Sequence, residues 1–349
     1  MKKIKILVTC IGGTFSYPIL NSLKDSSYFD INIIGVDASS NAPGQYICDH
    51  FYIVPHAAKN PDNFWEKIQE IIKLEKPDLI LPLSESETLI FANKEKEVLA
   101  GGSALPFGSA KTVKLMLDKF ELLNFLHESG VTVGKFSKVS HLNDLEVAKA
   151  LGFPGQKIVL KPRTGTGSRG VVILDDEIKE YTPLLEKRMC GTGNFKSVNQ
   201  LFANEGFNDG YLAMPYAGPD TFDVDCLFSL GKPNLIIPRL REYQNPLSPT
   251  NEGCIVEDVL NNPIVSYIEK IGSALAVDGV CDFDVARNPD GEMRLLDASC
   301  RLSGSVGASI AAGYPIIDSL ILNRFGLPIP KFHKVSRTRV RPCSMFFKT

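Results

Sequence analysis

From residue 1 the hydrophobic positions fall into short β-branched runs separated by stretches of helical spacing. These are KIKILVT, a helix over Ser16–Lys24, INIIGVD, HFYIV, a helix over residues 61–74, and DLILPL. Such alternation implies βαβ crossovers and a doubly wound parallel sheet, an α/β unit. The pattern stops at residues 101–109, and two helices follow, over Ala110–Leu117 and 118–129, with Leu122, Leu123 and Leu126 at helical spacing. A domain boundary is expected near residue 110. Beyond it, a strand over 157–161 leads into Thr164-Gly165-Thr166-Gly167-Ser168-Arg169-Gly170 and out into VVIL, a strand–loop–strand hairpin. Residues 176–210 read as polar and irregular, with short helices and no assigned function. From Tyr211 the strands return as YLAMPY, FDVDCLFSL, NLIIPRLR, VCDFDVAR and MRLLDAS, before helices over 305–312 and Ile316–Arg324. Strands first and helices afterwards suggest an α+β lobe. The basic segment 331–349 is expected to be a strand or a surface tail.

Charge and cysteine usage narrow the partners. Lys plus Arg number 38 against 40 Asp plus Glu, a net charge of −2, so no broad positive field draws in nucleic acid or an anionic membrane. A small-molecule partner is expected. The eight cysteines form no C-x-x-C pair and the five histidines do not cluster, which argues against zinc fingers and a disulfide framework. The apolar run after the N-terminal lysines is too short for a signal-peptide core, and no stretch nears the roughly 18 apolar residues of a membrane helix. A reduced, cytoplasmic protein is expected.

Three places carry candidate chemistry. The turn Cys10-Ile11-Gly12-Gly13-Thr14, with Asp37 ending the next strand, is half of a dinucleotide fingerprint, but G-x-G-x-x-G is absent and a plain strand-to-helix turn is the simpler reading. The loop 164–170 is not a Walker A loop, which needs G-x-x-x-x-G-K-[ST] running into a helix. Lys161 before it supplies a point charge for phosphate oxygens, and the loop amides approach the same anion; the alternative is a surface hairpin with a solvated lysine. Asp284 and Asp297 flank an Asn-Pro-Asp-Gly turn, so a hairpin would aim both carboxylates into one cleft suited to Mg²⁺, unless they are ordinary turn-flanking acids. Arg301, beside Ser303-Gly304-Ser305, adds a planar cation for a phosphate or carboxylate.

In this order the motifs resemble the ATP-grasp ligases, particularly proteins similar to the carbamoyl-phosphate synthase large subunit and small carboxylate–amine ligases. The carriers are LVTCIGG, DLILPLSESE, LDKFELLNFLHESGV, IVLKPRTGTGSRGV, LAMPYAGPDTFDVDCL and DFDVARNPDGEMRLLDASCRLSGS, spanning the chain to about residue 328. The resemblance implies a pre-ATP-grasp domain over 1–110, a two-lobed ATP-grasp domain over 111–330 (lobes 156–215 and 216–330), and a terminal segment 331–349. It makes Lys119 and Lys161 phosphate contacts under a flap of Gly165, Thr166, Gly167 and Ser168. It gives Met214, Pro215 and Tyr216 as the hinge along the adenine edge, and Asp220 near the ribose. Asp284, Asp297 and Ser299 become the metal-ligand positions, Arg301 with Arg239 or Arg241 the catalytic arginines, and Glu85 an acceptor contact. ATP with Mg²⁺, or Mn²⁺, would be the cofactors.

The chain departs from the family where Glu-x-Asn-Pro-Arg becomes Asp297-Ala298-Ser299-Cys300-Arg301. The expected activity is phosphorylation of a small carboxylate by ATP, followed by attack of an amine or related nucleophile, in a cytoplasmic protein that is a dimer in related enzymes. A nucleotide-binding regulatory protein without turnover is the alternative, and a nicotinamide-dependent oxidoreductase resting on Gly12, Gly13 and Asp37 is a third. Specificity is assigned to loops 82–87 and 245–253.

Overall fold

The structure, a computed structural model, describes residues 1–149, 157–165, 169–185, 190–205, 210–218, 220–242, 253–258, 262–332 and 336–343. Its first sheet joins β1 (Lys2–Thr9), β2 (Phe29–Asp37), β3 (His50–Ile53) and β4 (Leu79–Leu81) in the order β3-β2-β1-β4, all parallel. Helix α1 (Ser16–Lys24) packs Ile19, Leu20 and Leu23 against Ile4, Ile6 and Val8. On the other face α2 (Pro61–Glu75) packs Phe64, Trp65 and Ile68 against Leu7, Ile34 and Ile80. Both faces are covered, which is why these strands read as nearly unbroken apolar runs. Chain order reverses between β1 and β4, the kind of switch point at which open α/β sheets form a crevice, and residues 10–13 and 82–85 follow the two carboxyl ends there.

Four helices lead away from that edge: α3 (Glu85–Asn93), α4 (Glu95–Ala100), α5 (Ala110–Leu117) and α6 (Lys119–Glu128). Side-chain caps set three of their starts. Ser84 and Glu87 form a capping box, the Ser109 hydroxyl accepts from the amides of Lys111 and Thr112, and the Asp118 carboxylate accepts from those of Phe120 and Glu121.

The second sheet contains β5 (Ser137–Val139), β6 (Ile158–Pro162), β7 (Val172–Leu174), β8 (Thr182–Leu185), β9 (Cys190–Gly193) and β10 (Tyr211–Pro215), in the order β5-β10-β6-β7-β9-β8. Helices α7 (Leu142–Val147) and α8 (Phe195–Glu205) belong to this part, and Val198 and Phe202 of α8 enter its core. The expectation of irregular chain over 176–210 is thereby corrected: the stretch holds two strands and an eleven-residue helix. The glycine-rich β9 has no apolar alternation of its own, and its conformation is fixed by pairing with β7 and β8.

The third sheet is antiparallel, with order β15-β14-β11-β12-β13-β16: β11 (Asp220–Ser229), β12 (Lys232–Arg241), β13 (Cys254–Val256), β14 (Gly279–Arg287), β15 (Met293–Ser299) and β16 (Thr338–Val340). Helices α9 (Pro263–Ala274), α10 (Val306–Ala311) and α11 (Ile316–Arg324) complete the chain. One face of the sheet, Phe222, Val224, Phe228, Phe283 and Val285, shares a core with α9 and with Leu7 and Ile80 of the first sheet. The other face is apolar at one end, where Leu227, Leu235, Ile237 and Val280 join α10, α11 and the remaining face of the first sheet. Its other end is charged.

Candidate active site

The charged end follows from strand register. Arg239, Asp223, Asp284 and Asp297 lie in one row across β12, β11, β14 and β15, and Ile237, Asp225, Asp282 and Ser299 form the next. Alternation puts both rows on one face. Asp284 and Asp297 are direct cross-strand partners, joined by the hairpin turn at residues 288–291. The register shifts after Asp284, and Leu296 is left without a partner. A bulge of this kind releases a backbone group, and the Leu296 carbonyl accepts a hydrogen bond from Lys161 Nζ at 3.3 Å. Lys161 thus reaches from the second sheet to the Asp284–Asp297 hairpin of the third. Burial pulls its ammonium down to about 8, although Asp297 and Asp284 act to raise it.

Lys119, the first residue of α6, donates from Nζ to the Gly165 carbonyl at 2.8 Å and lies 3.3 Å from Asp297 Oδ1. Its own amide donates to the Arg163 carbonyl, and Arg163 clasps the Asp118 carboxylate, so the helix start and the base of the glycine-rich loop are tied together. Arg241 donates from Nε to Asp223 Oδ1 at 2.9 Å, bonds the same oxygen through Nη2, and places Nη2 3.0 Å from Asp284 Oδ2. Burial pushes the Asp284 carboxyl up to about 6, and Arg241 opposes that rise. At the crevice end, Arg301 Nη2 donates to Glu85 Oε1 at 3.4 Å, while Nη1 bonds the Leu302 carbonyl and lies 3.9 Å from Asp282 Oδ2. Burial raises the carboxyls of both Glu85 and Asp282.

Lys119, Lys161, Arg241, Asp284, Asp297, Arg301 and Glu85 therefore belong to one continuous network, with Gly165 at its rim. Ser299 faces Asp282, one row from the Asp284–Asp297 pair. Other expectations change. Arg239 has no exposed surface: Nε lies 3.1 Å from Asp225 Oδ2, Nη1 donates to the Ser305 carbonyl and hydroxyl, and Nη2 donates to Ser303 Oγ. It anchors the segment 303–305 from inside the protein. Asp220 points to the opposite face with Phe222 and Val224, and its carboxylate pairs with Arg287 at 2.6 Å. It stands apart from the row of Asp284.

At the hinge, Met214 pairs with Val159, and the Tyr216 amide donates to the Lys157 carbonyl at 2.8 Å. Alternation then turns the Pro215 carbonyl and the Ala217 amide away from β6. Thr166, Gly167 and Ser168, with most of 245–253, lie outside the described residues. Asp37 accepts from the Gly12 amide at 2.7 Å and the Ser39 amide at 2.8 Å, capping its own turn with the oxygens a ribose would need.

Sequence reasoning passed over Asp223 and Asp282. Their signal was present in FDVD and DFD, where acids recur at period two inside apolar strands and mark a charged face. The donor set suits a hard cation: Asp284 and Asp297 offer two facing carboxylates. Among the described residues no three His, Cys, Asp or Glu side chains converge to hold an ion alone. Mg²⁺, commonly held by one or two carboxylates together with substrate phosphates, fits that arrangement.

Residues 6–105 match the family model described as the PylC-like N-terminal domain. The chain is 24 % identical over 271 residues to a carbamoyl-phosphate synthase of Methanobrevibacter smithii, an alignment covering 74 % of this chain and 65 % of that relative. Its structure is similar to that of N5-carboxyaminoimidazole synthetase from Staphylococcus aureus complexed with ADP, with a TM-score of 0.72 at 18 % identity over 96 % of this chain and 81 % of the other. It is likewise similar to the L-amino acid ligase from Bacillus licheniformis, with a TM-score of 0.67 at 15 % identity over 93 % and 74 %. Among the described residues no helix is long and apolar enough to cross a membrane.

Proposed function

We propose, from the ATP-grasp fold that this chain carries, that it is an ATP-dependent ligase which activates a small-molecule carboxylate as an acyl phosphate for attack by an amine or related nucleophile. The observation that carries this reading is the convergence of Lys119, Lys161, Asp284 and Asp297 where the second sheet meets the third. Residues 111–330 form the nucleotide-handling part in this reading, and the crevice of residues 1–110 admits the acceptor.

The Pro215 carbonyl and Ala217 amide offer an acceptor and a donor to an adenine edge. Lys119 and Lys161 bind phosphate oxygens, and Lys119 exchanges its contact with Asp297 for the nucleotide. Asp284 and Asp297 would hold Mg²⁺, which when bound would neutralise charge on the terminal phosphates. Arg301 orients the carboxylate beside the transferred phosphoryl group, and Glu85 both positions Arg301 and faces the incoming amine. Negative charge grows on that phosphoryl group during transfer, so preorganised cations supply most of the catalysis and no nucleophilic side chain is required. Eight cysteines with no C-x-x-C pair suit a reducing cytoplasm.

The test is the thermal unfolding midpoint with and without millimolar MgATP, with Lys161→Ala as control. Ligand at about 100 times Kd adds roughly 2.7 kcal/mol to the folded state. A magnesium-dependent rise lost in the variant is expected, followed by ADP release in a panel of carboxylates and amines. No rise in the wild type refutes the nucleotide site. Arg241 and Lys119 already occupy oxygens of the two metal-ligand carboxylates, which favours one second reading, an ATP-binding regulatory protein. Tight binding with no ADP formed across the panel would select it.

A further inference from the structure

Resting on the nucleotide reading above, we propose that Arg241, anchored by Asp223, withholds one oxygen of Asp284 from metal, so that the site takes a single metal ion with its nucleotide. Asp284 does not present two free oxygens, because Oδ2 is 3.0 Å from Arg241 Nη2. That guanidinium is fixed from behind: Nε and Nη2 both bond Asp223 Oδ1, and Asp223 is only 3 % exposed. Withdrawing Arg241 would leave the buried Asp223 carboxylate without the guanidinium that hydrogen-bonds it, which is more costly than rotating a surface side chain.

Lys119 on Asp297 is held differently. Its ammonium sits on a flexible stem, its contact with Asp297 is 3.3 Å, and its closer partner is the neutral Gly165 carbonyl at 2.8 Å. If it gives up Asp297, that carboxylate, 35 % exposed, is left to the ion, and the buried Lys119 ammonium keeps the Gly165 carbonyl and turns to the nucleotide phosphates. The incoming ion thus finds Asp297 and the remaining oxygen of Asp284, while Arg241 keeps the other. Charge agrees with the geometry. Asp223, Asp284 and Asp297 against Arg241 leave two negative charges, which one divalent ion cancels, with Lys119 and Lys161 left to compensate phosphate.

The experiment counts bound Mn²⁺ per chain by electron paramagnetic resonance, on the whole protein saturated with a non-hydrolysable ATP analogue. The wild type is expected to hold one ion, Arg241→Lys one, and Arg241→Met two, because the methionine frees the Asp284 oxygen and removes the positive charge. Two ions in the wild type overturn the inference and leave the nucleotide reading intact. One ion in both the wild type and a folded Arg241→Met also overturns it, since the count would not depend on the guanidinium. No bound ion in the wild type, with no thermal shift from the analogue, removes the nucleotide reading itself and this inference with it. A wild-type count of two overturns the inference even if Arg241→Met fails to fold, and in that case Arg241→Leu supplies the second count.

Discussion

Arg239 and Arg241 are two residues apart on β12 and point to the same face, yet only one meets the open part of the site. Arg239 is enclosed by Asp225, Ser303 and Ser305. Removing one member of a buried ion pair leaves an uncompensated charge, so Arg239→Met should cost about 3–5 kcal/mol in urea unfolding. A loss under about 1 kcal/mol would show that Asp225 does not depend on it. Lys161 carries a pH signature. Its ordinary value of 10.5 falls to about 8 in the fold, so the unfolded chain binds more protons between those values and folding stability from this group rises with pH across that window. Nucleotide affinity has the opposite sign. Anionic phosphates favour the charged lysine, so affinity should hold below pH 8 and fall by up to about tenfold per pH unit above it. Titration of nucleotide binding at pH 7, 8 and 9 checks this, and Lys161→Met should flatten the slope. Lys161 was legible because a lysine ending a β-branched strand before a glycine-rich loop is a local pattern. The burial of Arg239 was not, since Ser303 and Ser305 lie more than sixty residues further along.

At the level of elements, sequence spoke clearly wherever a segment's own side chains decided its structure. Helices α1, α5 and α11 have the bounds that apolar spacing gave, and the β14–β15 hairpin forms around its Asn-Pro-Asp-Gly turn. It was silent where partners decide. Strand β9 is held by its neighbours, and α3 and α9 fall in stretches to which the pattern assigned nothing. The bulge at Leu296 was also invisible, because it is a mismatch between two strands. The start of β14 shows how tightly such contacts are set. Gly279 has φ +109°, and a Cβ there would lie 2.0 Å from the Pro106 carbonyl oxygen. The same carbonyl accepts from the Val280 amide at 3.0 Å. Gly279→Ala should therefore destabilise by at least about 2 kcal/mol, from backbone strain and overpacking together. A smaller loss in chemical denaturation would mean that the segment 106–108 yields easily.

At the scale of the whole molecule, two of the three hydrophobic cores among the described residues draw on both the first sheet and the strands after residue 220. Separating the chain near residue 110 would expose Leu227, Leu235, Ile237 and Val280 on one side and their partners Ile6, Val8 and Leu79 on the other. We expect these two parts to melt in one calorimetric transition, and a fragment of residues 1–110 to lack a cooperative transition of its own. Two resolved transitions in the full chain would show that the shared cores do not couple them. The same closeness joins Glu85 to Arg301 across 216 positions of sequence. In the function proposed above, the acceptor-facing loop and the phosphate-handling segment are separate stretches of gene with separate histories, so choice of substrate can change while the chemistry is inherited. That ion pair is the point at which the two histories must stay compatible.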